Sequence, residues 1–220
     1  MIERILPPPV AVAESFGDDT GVILFPEEQA VIANAVESRR REFATGRACA
    51  RAALARLGQP AVAVLRGSGG APQWPEGIVG SITHCHGYRA AAVAFTKDVA
   101  SLGMDAEPDE PLPNDGMLGL IALEEECVRL RELAAGTPGT SWDRLLFTAK
   151  ESVYKTWFPL ARRWLGFESA DVVIDAHAGT FTARLLVHGP VVNGSPLTML
   201  HGRWLAARGI LMTAIVVPAS

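Results

Sequence analysis

Two short segments about forty residues apart constrain this chain most. One is an apolar run that ends in carboxylates, S-L-G-M-D-A-E (101–107), and the other is an acidic-basic segment, F-T-A-K-E-S-V-Y-K (147–155). The first reads as a buried strand, so Asp105 and Glu107, two residues apart, leave the same face near its exit. The second reads as a helix in which Glu151 and Lys155, four apart, share a face, with Lys150 about a quarter turn away. Trp142, Leu146, Ala149 and Val153 form that helix's apolar stripe, and Glu151 and Lys155 fall nearly opposite it. Magnesium takes a few carboxylates together with phosphate oxygens and water, and a lysine offsets the charge of a transferring phosphate. Three carboxylates and two lysines in these settings therefore suit a magnesium-pyrophosphate site. On residues alone the plainer readings stay open. Asp105 and Glu107 can be charges on a solvated turn, and Glu151 with Lys155 an exposed ion pair worth about 0.3–0.5 kcal/mol.

Size and charge narrow the classes. With 220 residues, 49% of them hydrophobic, the chain can bury a sizeable core as one large domain or two small ones. A net charge of −4 and a pI near 5.7 argue against general nucleic-acid binding, which needs a basic surface. The three cysteines, Cys49, Cys85 and Cys127, are widely spaced without a C-x-x-C pair, which fits a reducing compartment better than a disulfide framework. Glu3 and three successive prolines (7–9) interrupt any signal-peptide core, and no apolar run reaches membrane-spanning length. The expectation is a cytoplasmic protein with no membrane association.

Along the chain, Pro26 with Glu27 and Glu28 signals a helix start and Gly58 with Pro60 a stop, leaving room for two helices broken near Thr45 and Gly46. Stretches 62–65, 78–83, 90–95 and 101–106 read as strands. A charged helix follows over 123–133, then Ser141 as N-cap of the signature helix, which should end by Phe158, before Pro159. Strands are expected over 172–174, 181–187, 197–206 and 210–217. Each half is helix-rich and then strand-rich, compatible with a pseudo-repeat, and the first 25 residues find no place in it.

Three motifs in order, G-S-I-T-H-C (80–85), G-M-D-A-E (103–107) and F-T-A-K-E-S-V-Y-K (147–155), resemble the signatures of the 4′-phosphopantetheinyl transferases of the Sfp/EntD type. The likeness extends through R-R-R-E-F-A-T-G-R (39–47), Q-W-P-E-G (73–77) and W-F-P-L (157–160). Gly70, Ala71 and Pro72 stand where many members carry Gly-Lys-Pro, and Met104 replaces the usual Ile or Val.

The resemblance implies an α+β, sandwich-like fold of two pseudo-symmetric subdomains, placed here at 1–102 and 103–220, each a small sheet with packed helices and the active site at their junction. It implies transfer of the 4′-phosphopantetheine arm of coenzyme A to a serine of acyl or peptidyl carrier domains, with release of adenosine 3′,5′-bisphosphate. Magnesium, or manganese in its place, would be held by Asp105, Glu107 and Glu151. Coenzyme A would be met by Arg39, Arg47, Arg66, Thr83, His84, Asp105, Lys150 and Lys155. Glu151 would accept the serine proton and Lys155 would share the catalysis. His84 and His86 alternate on a strand as zinc ligands can, but no third and fourth ligand appears nearby. Trp164 is either core or a pantetheine contact. The expected partners are carrier domains and coenzyme A, with no nucleic acid, and the chain is expected to act as a monomer. Two other classes remain in view: a magnesium-dependent hydrolase of coenzyme A or another nucleotide pyrophosphate, and a non-catalytic coenzyme A- or carrier-binding module.

Overall fold

The computed structural model describes residues 1–219 and divides the strands between two main antiparallel sheets. In chain order the elements are β1 (Ala11–Phe16), α1 (Pro26–Val31), α2 (Glu37–Arg56), β2 (Ile78–Cys85), β3 (Tyr88–Phe95) and β4 (Val99–Pro108). There follow α3 (Asp115–Ile121), α4 (Glu124–Gly136), α5 (Trp142–Ala161), β5 (Ala170–Asp175), β6 (Thr180–Leu185), the short ribbon β7 (Val191–Val192) and β8 (Ser195–Pro196), β9 (Met199–Ala207) and β10 (Ile210–Pro218). The first sheet has the order β1-β3-β2 and the second β4-β10-β9-β6-β5.

Alternation along the strands sorts the side chains into layers. Tyr88, Ala90, Ala92 and Ala94 of β3 pack with Leu102, Met104 and Ala106 of β4 and Met212 and Ala214 of β10 in one core shared by both sheets. The opposite face of β3, with Ala91 and Val93, is covered by Cys49, Ala50, Ala53 and Leu54 of α2. On the second sheet, Leu211 and Ile215 of β10 meet Leu145, Leu146, Ala149 and Val153 of α5. The order of layers is therefore α2, first sheet, shared core, second sheet, α5. The two covering helices are 20 residues each, and this is the two-subdomain α+β arrangement expected.

The edge strands β2 and β4 meet along a seam that side chains close. Ser81 Oγ accepts from Met104 N at 3.1 Å, and Thr83 Oγ1 accepts from Ala106 N at 3.0 Å. Hydroxyls of one edge thus satisfy backbone donors of the other, which disposes of two exposed edges at once. A division between residues 102 and 103 would cut β4, which pairs with β10 along its whole length; the sheets part at the turn between Phe95 and Val99.

Several local expectations need correction. The helix break falls at 32–36, not at Thr45 and Gly46, which lie buried inside α2. Thr45 Oγ1 donates to Arg41 O at 2.9 Å within the helix, and packing against the sheet outweighs the weak propensity of this pair. Residues 62–65 form no strand. The unplaced opening segment instead supplies β1, paired with β3 from Ala11 opposite Val93 to Phe16 opposite Tyr88. Helix α5 runs past Pro159 to Ala161 and closes on Arg162 at φ 53. Ser141 holds its N-cap position without a side-chain cap. Asp109 Oδ1 takes the Ser141 N–H at 2.8 Å and Asp143 Oδ2 takes that of Leu112, so the loop leaving β4 is tied to the first turn of α5.

Candidate functional site

The pleat of β4 sends Ser101, Gly103, Asp105 and Glu107 toward α5, on the face opposite the shared core. Close approach is possible because position 103 has no side chain: a Cβ there would lie 2.3 Å from Ser152 O and from Thr156 Oγ1. Ser101 Oγ donates to Thr156 O at 2.7 Å in the same contact. The helix is thereby pressed onto the strand, and Lys155 Nζ reaches Asp105 Oδ1 at 2.6 Å. Thr83 Oγ1 donates to the same oxygen at 3.0 Å. The other oxygen, Oδ2, is buried and has no hydrogen-bond partner.

Between α2 and α5, above the seam, opens a cleft of 740 Å³. Arg39, Arg47, Arg66 and His84 line one side, Glu151, Tyr154, Lys155 and Phe158 the other, and Gly80 and Ser101 lie along the seam. His84 sits between two residues of α2: its Nδ1 is 2.9 Å from Glu42 Oε1 and its Nε2 3.1 Å from Arg39 Nη1, and Arg39 also bonds Glu42. Desolvation by the surrounding walls, ahead of the opposing pull of Glu42, lowers the His84 pKa, which favours the neutral ring. Arg47 is buried, donates through Nε to Val64 O at 2.6 Å, and stacks over Phe43 with Cζ 4.0 Å from the ring centroid. Burial brings its pKa down to about 10, so it stays charged at neutral pH.

On the acidic side burial dominates, with mutual charge second. Burial, and next the Asp105 carboxylate, push Glu107 up to about 7, with Arg144 at 3.4 Å acting against the rise. Burial and then Asp105 also raise Glu151. Among the described residues no three His, Cys, Asp or Glu side chains gather closely enough to enclose a metal ion. The donors are nevertheless of the kind magnesium takes: Asp105, Glu107 and Glu151 offer hard carboxylate oxygens, and Asp105 Oδ2 is buried without a partner, so phosphate and water would have to supply the remaining ligands.

Most of the residues singled out in the sequence come together, but four do not line the cleft: Asp105, which touches the lining through Lys155, Glu107, and the more deeply committed Lys150 and Thr83. Lys150 is 2% exposed, and its Nζ is paired with Glu126 at 2.7 Å and bonded to Ile121 O and Phe167 O. Burial, against the pull of Glu126, lowers its pKa. A lysine committed to three acceptors inside the core is not placed to meet a phosphate. Thr83 is 1% exposed with its hydroxyl spent on Asp105 and Ala106, so it orients a carboxylate and does not face the cleft. Arg40 bonds Ala35 O and Ala33 O, Arg41 pairs with Asp18 and Glu37, and Arg51 pairs with Glu28, so all three serve the fold. Trp164 is exposed, its ring 4.9 Å from that of Tyr154.

Residues missed in the sequence include Glu42, which shares a helix face with Arg39 but whose contact with His84 bridges elements far apart in the chain. Arg144 was missed as well. It holds Glu107, Glu110 O and Pro111 O together, and nothing in its spacing announces this.

Comparison with known proteins adds a separate line. Residues 27–94 match a family model described as the 4′-phosphopantetheinyl transferase N-terminal domain, and residues 101–195 one described as the 4′-phosphopantetheinyl transferase superfamily. The chain is 54% identical over 222 residues to 4′-phosphopantetheinyl transferase Svp of Streptomyces mobaraensis, covering 100% of this chain and 90% of that one. It is 46% identical over 226 residues to PptT of Mycobacterium tuberculosis (99% and 98% covered) and 48% identical over 224 residues to Npt of Nocardia iowensis (98% and 99% covered), both named 4′-phosphopantetheinyl transferases.

Proposed function

This chain belongs to the 4′-phosphopantetheinyl transferase family and is an enzyme that moves the phosphopantetheine group of coenzyme A; from that premise we propose that the cleft between α2 and α5 is where the transfer to a carrier serine occurs. The observation that carries the reading is the meeting of Lys155, Asp105 and Glu151 at the end of a cleft whose other wall is lined by arginine and histidine. Guanidinium groups match phosphate oxygens bidentately, so Arg39, Arg47 and Arg66, with His84, suit the nucleotide phosphates.

The serine hydroxyl oxygen of the carrier forms a bond to the phosphorus next to the pantetheine arm while the bond from that phosphorus to the bridging pyrophosphate oxygen breaks. The serine proton passes to Glu151, whose raised pKa brings it toward the working pH. The electron pair leaves with adenosine 3′,5′-bisphosphate. Lys155 offsets charge on the phosphate that departs, and Asp105, held by Thr83, keeps the ammonium in place. Asp105, Glu107 and Glu151 are the residues that would hold magnesium, which when bound would neutralise pyrophosphate charge. Coenzyme A is the donor, and the acceptor domains are acyl or peptidyl carriers. Carrier recognition helices that are acidic would orient on the basic side of the cleft.

The test is intact mass of a panel of carrier domains incubated with the enzyme, coenzyme A and magnesium. A gain of one phosphopantetheine on the carrier serine is expected, together with one adenosine 3′,5′-bisphosphate per carrier modified. Nucleotide release that does not depend on a carrier would instead identify a hydrolase.

A further inference from the structure

The segment 62–66 leads into the cleft at Arg66 but has no strand partner, only an isolated bridge from Arg66 to Pro72. Its middle residue, Val64, is 0% exposed, and a buried peptide unit without a ladder must find its hydrogen bonds elsewhere. Two charged side chains supply them. Val64 N donates to Glu28 Oε1 at 2.9 Å, and Val64 O accepts from Arg47 Nε at 2.6 Å. Glu28 is itself 0% exposed; its second oxygen accepts from Arg51 Nη1 at 2.9 Å and Phe25 N at 3.1 Å. One carboxylate therefore joins the start of α1, the C-terminal half of α2 and the segment beside the cleft, while Arg47 is anchored on the far side of the same peptide unit.

A buried ion pair is a poor source of stability, since well-packed apolar groups of like volume usually serve as well. What the arrangement does secure is geometry. With Nε committed to Val64 O, the rest of the Arg47 guanidinium lies along the cleft wall, and any slip of Val64 would move it. We propose that Glu28 is a positioning residue for coenzyme A binding, acting through the Val64 peptide to hold the Arg47 guanidinium toward the cleft. The proposal rests on the coenzyme A reading of the cleft given above.

The experiment is a double-mutant cycle on the full chain, read as calorimetric affinity for coenzyme A well below the unfolding temperature, with steady-state kinetics alongside. Arg47→Ala is expected to weaken binding roughly ten- to hundredfold and Glu28→Gln about tenfold, with the Glu28→Gln effect appearing in KM and not in kcat at saturation. Glu28→Gln combined with Arg47→Ala should bind no more weakly than Arg47→Ala alone, because the two act in series. Additive losses, or unchanged affinity in Glu28→Gln beside a weakened Arg47→Ala, overturn the proposal alone. Unchanged affinity in Arg47→Ala takes down the reading of the cleft and the proposal with it. Should Glu28→Gln fail to fold, Glu28→Gln with Arg51→Met removes both charges together and carries the same comparison. Amide exchange in the wild-type chain gives a second readout: the Val64 amide is expected to be as protected as those of β3, and fast exchange would overturn the anchor.

Discussion

The roles proposed for individual side chains in the cleft can be separated by substitution. Glu151→Gln keeps the volume of the carboxylate but neither its charge nor its basicity, so it should retain coenzyme A affinity and lose at least about a hundredfold in turnover. Lys155→Ala should also lower turnover while leaving magnesium affinity nearly unchanged. Carrier modification followed by mass, with magnesium titrated in each variant, distinguishes them; full rescue of Glu151→Gln by excess magnesium would mean that another group takes the proton. Glu107 adds a pH signature. Its pKa is raised by burial to about 7, so below that pH it carries a proton that a bound cation must displace. Magnesium affinity should therefore climb as pH rises from 5.5 to 7, by up to about tenfold per unit, and flatten above. A flat profile of magnesium affinity by calorimetry across that range would remove Glu107 from the ligand set.

At the scale of elements, the placing of α5 decides the site. Gly103→Ala would drive a methyl group into backbone of α5 at 2.3 Å from Ser152 O, a contact that no rotamer change relieves. The expected cost is about 1–3 kcal/mol in chemical denaturation, with loss of activity in the fraction that still folds, since α5 carries Glu151 and Lys155. On its other flank α5 is tied through Lys150 to Glu126 of α4, whose second oxygen accepts from Val172 N of β5 at 2.7 Å. Lys150→Met should cost about 3–5 kcal/mol because it strands a buried carboxylate, and Lys150→Met with Glu126→Gln, which removes the charge but keeps an oxygen for the Val172 N–H, should recover part of that. A mild effect of Lys150→Met on stability beside a large one on coenzyme A binding would instead return Lys150 to the phosphate.

For the whole molecule, function depends on two sheets that do not share a ladder being locked at the β2–β4 seam. Thr83→Val keeps the shape and removes the hydroxyl, leaving Ala106 N–H buried without its acceptor and Asp105 without one of its two donors. The expected loss is about 1–3 kcal/mol in stability, with a fall in turnover larger than that of Ser81→Ala, which touches the seam but not Asp105. Equal effects on turnover from the two substitutions would reduce Thr83 to a structural tie.

How much of this was legible from the chain depends on the range of the interactions. Local periodicity was enough to put Asp105 and Glu107 on one face of a strand and to set the buried stripe of α5, because each follows from a pattern within one element, whereas Glu151 and Lys155 were singled out as a site only by the family resemblance. The motifs and their order were enough for the family and the two-subdomain fold. What periodicity leaves open is which buried positions are polar by necessity. Lys150 lies at the edge of the apolar stripe and Lys155 nearly opposite it, but the pattern does not name their partners: one ends in a sealed pair with Glu126 and the other on Asp105, a difference set by α3, α4 and β5 closing over one flank of α5. The Thr83 hydroxyl, expected at the ligand by resemblance, is bonded to the strand beside it, and at residues 62–65, strand-like in sequence, Glu28 and Arg47 stand in for the missing neighbour. Strand propensity reports on a half-buried surface and says nothing about who supplies the hydrogen bonds; that accounting is settled only when segments distant in the chain are brought into contact.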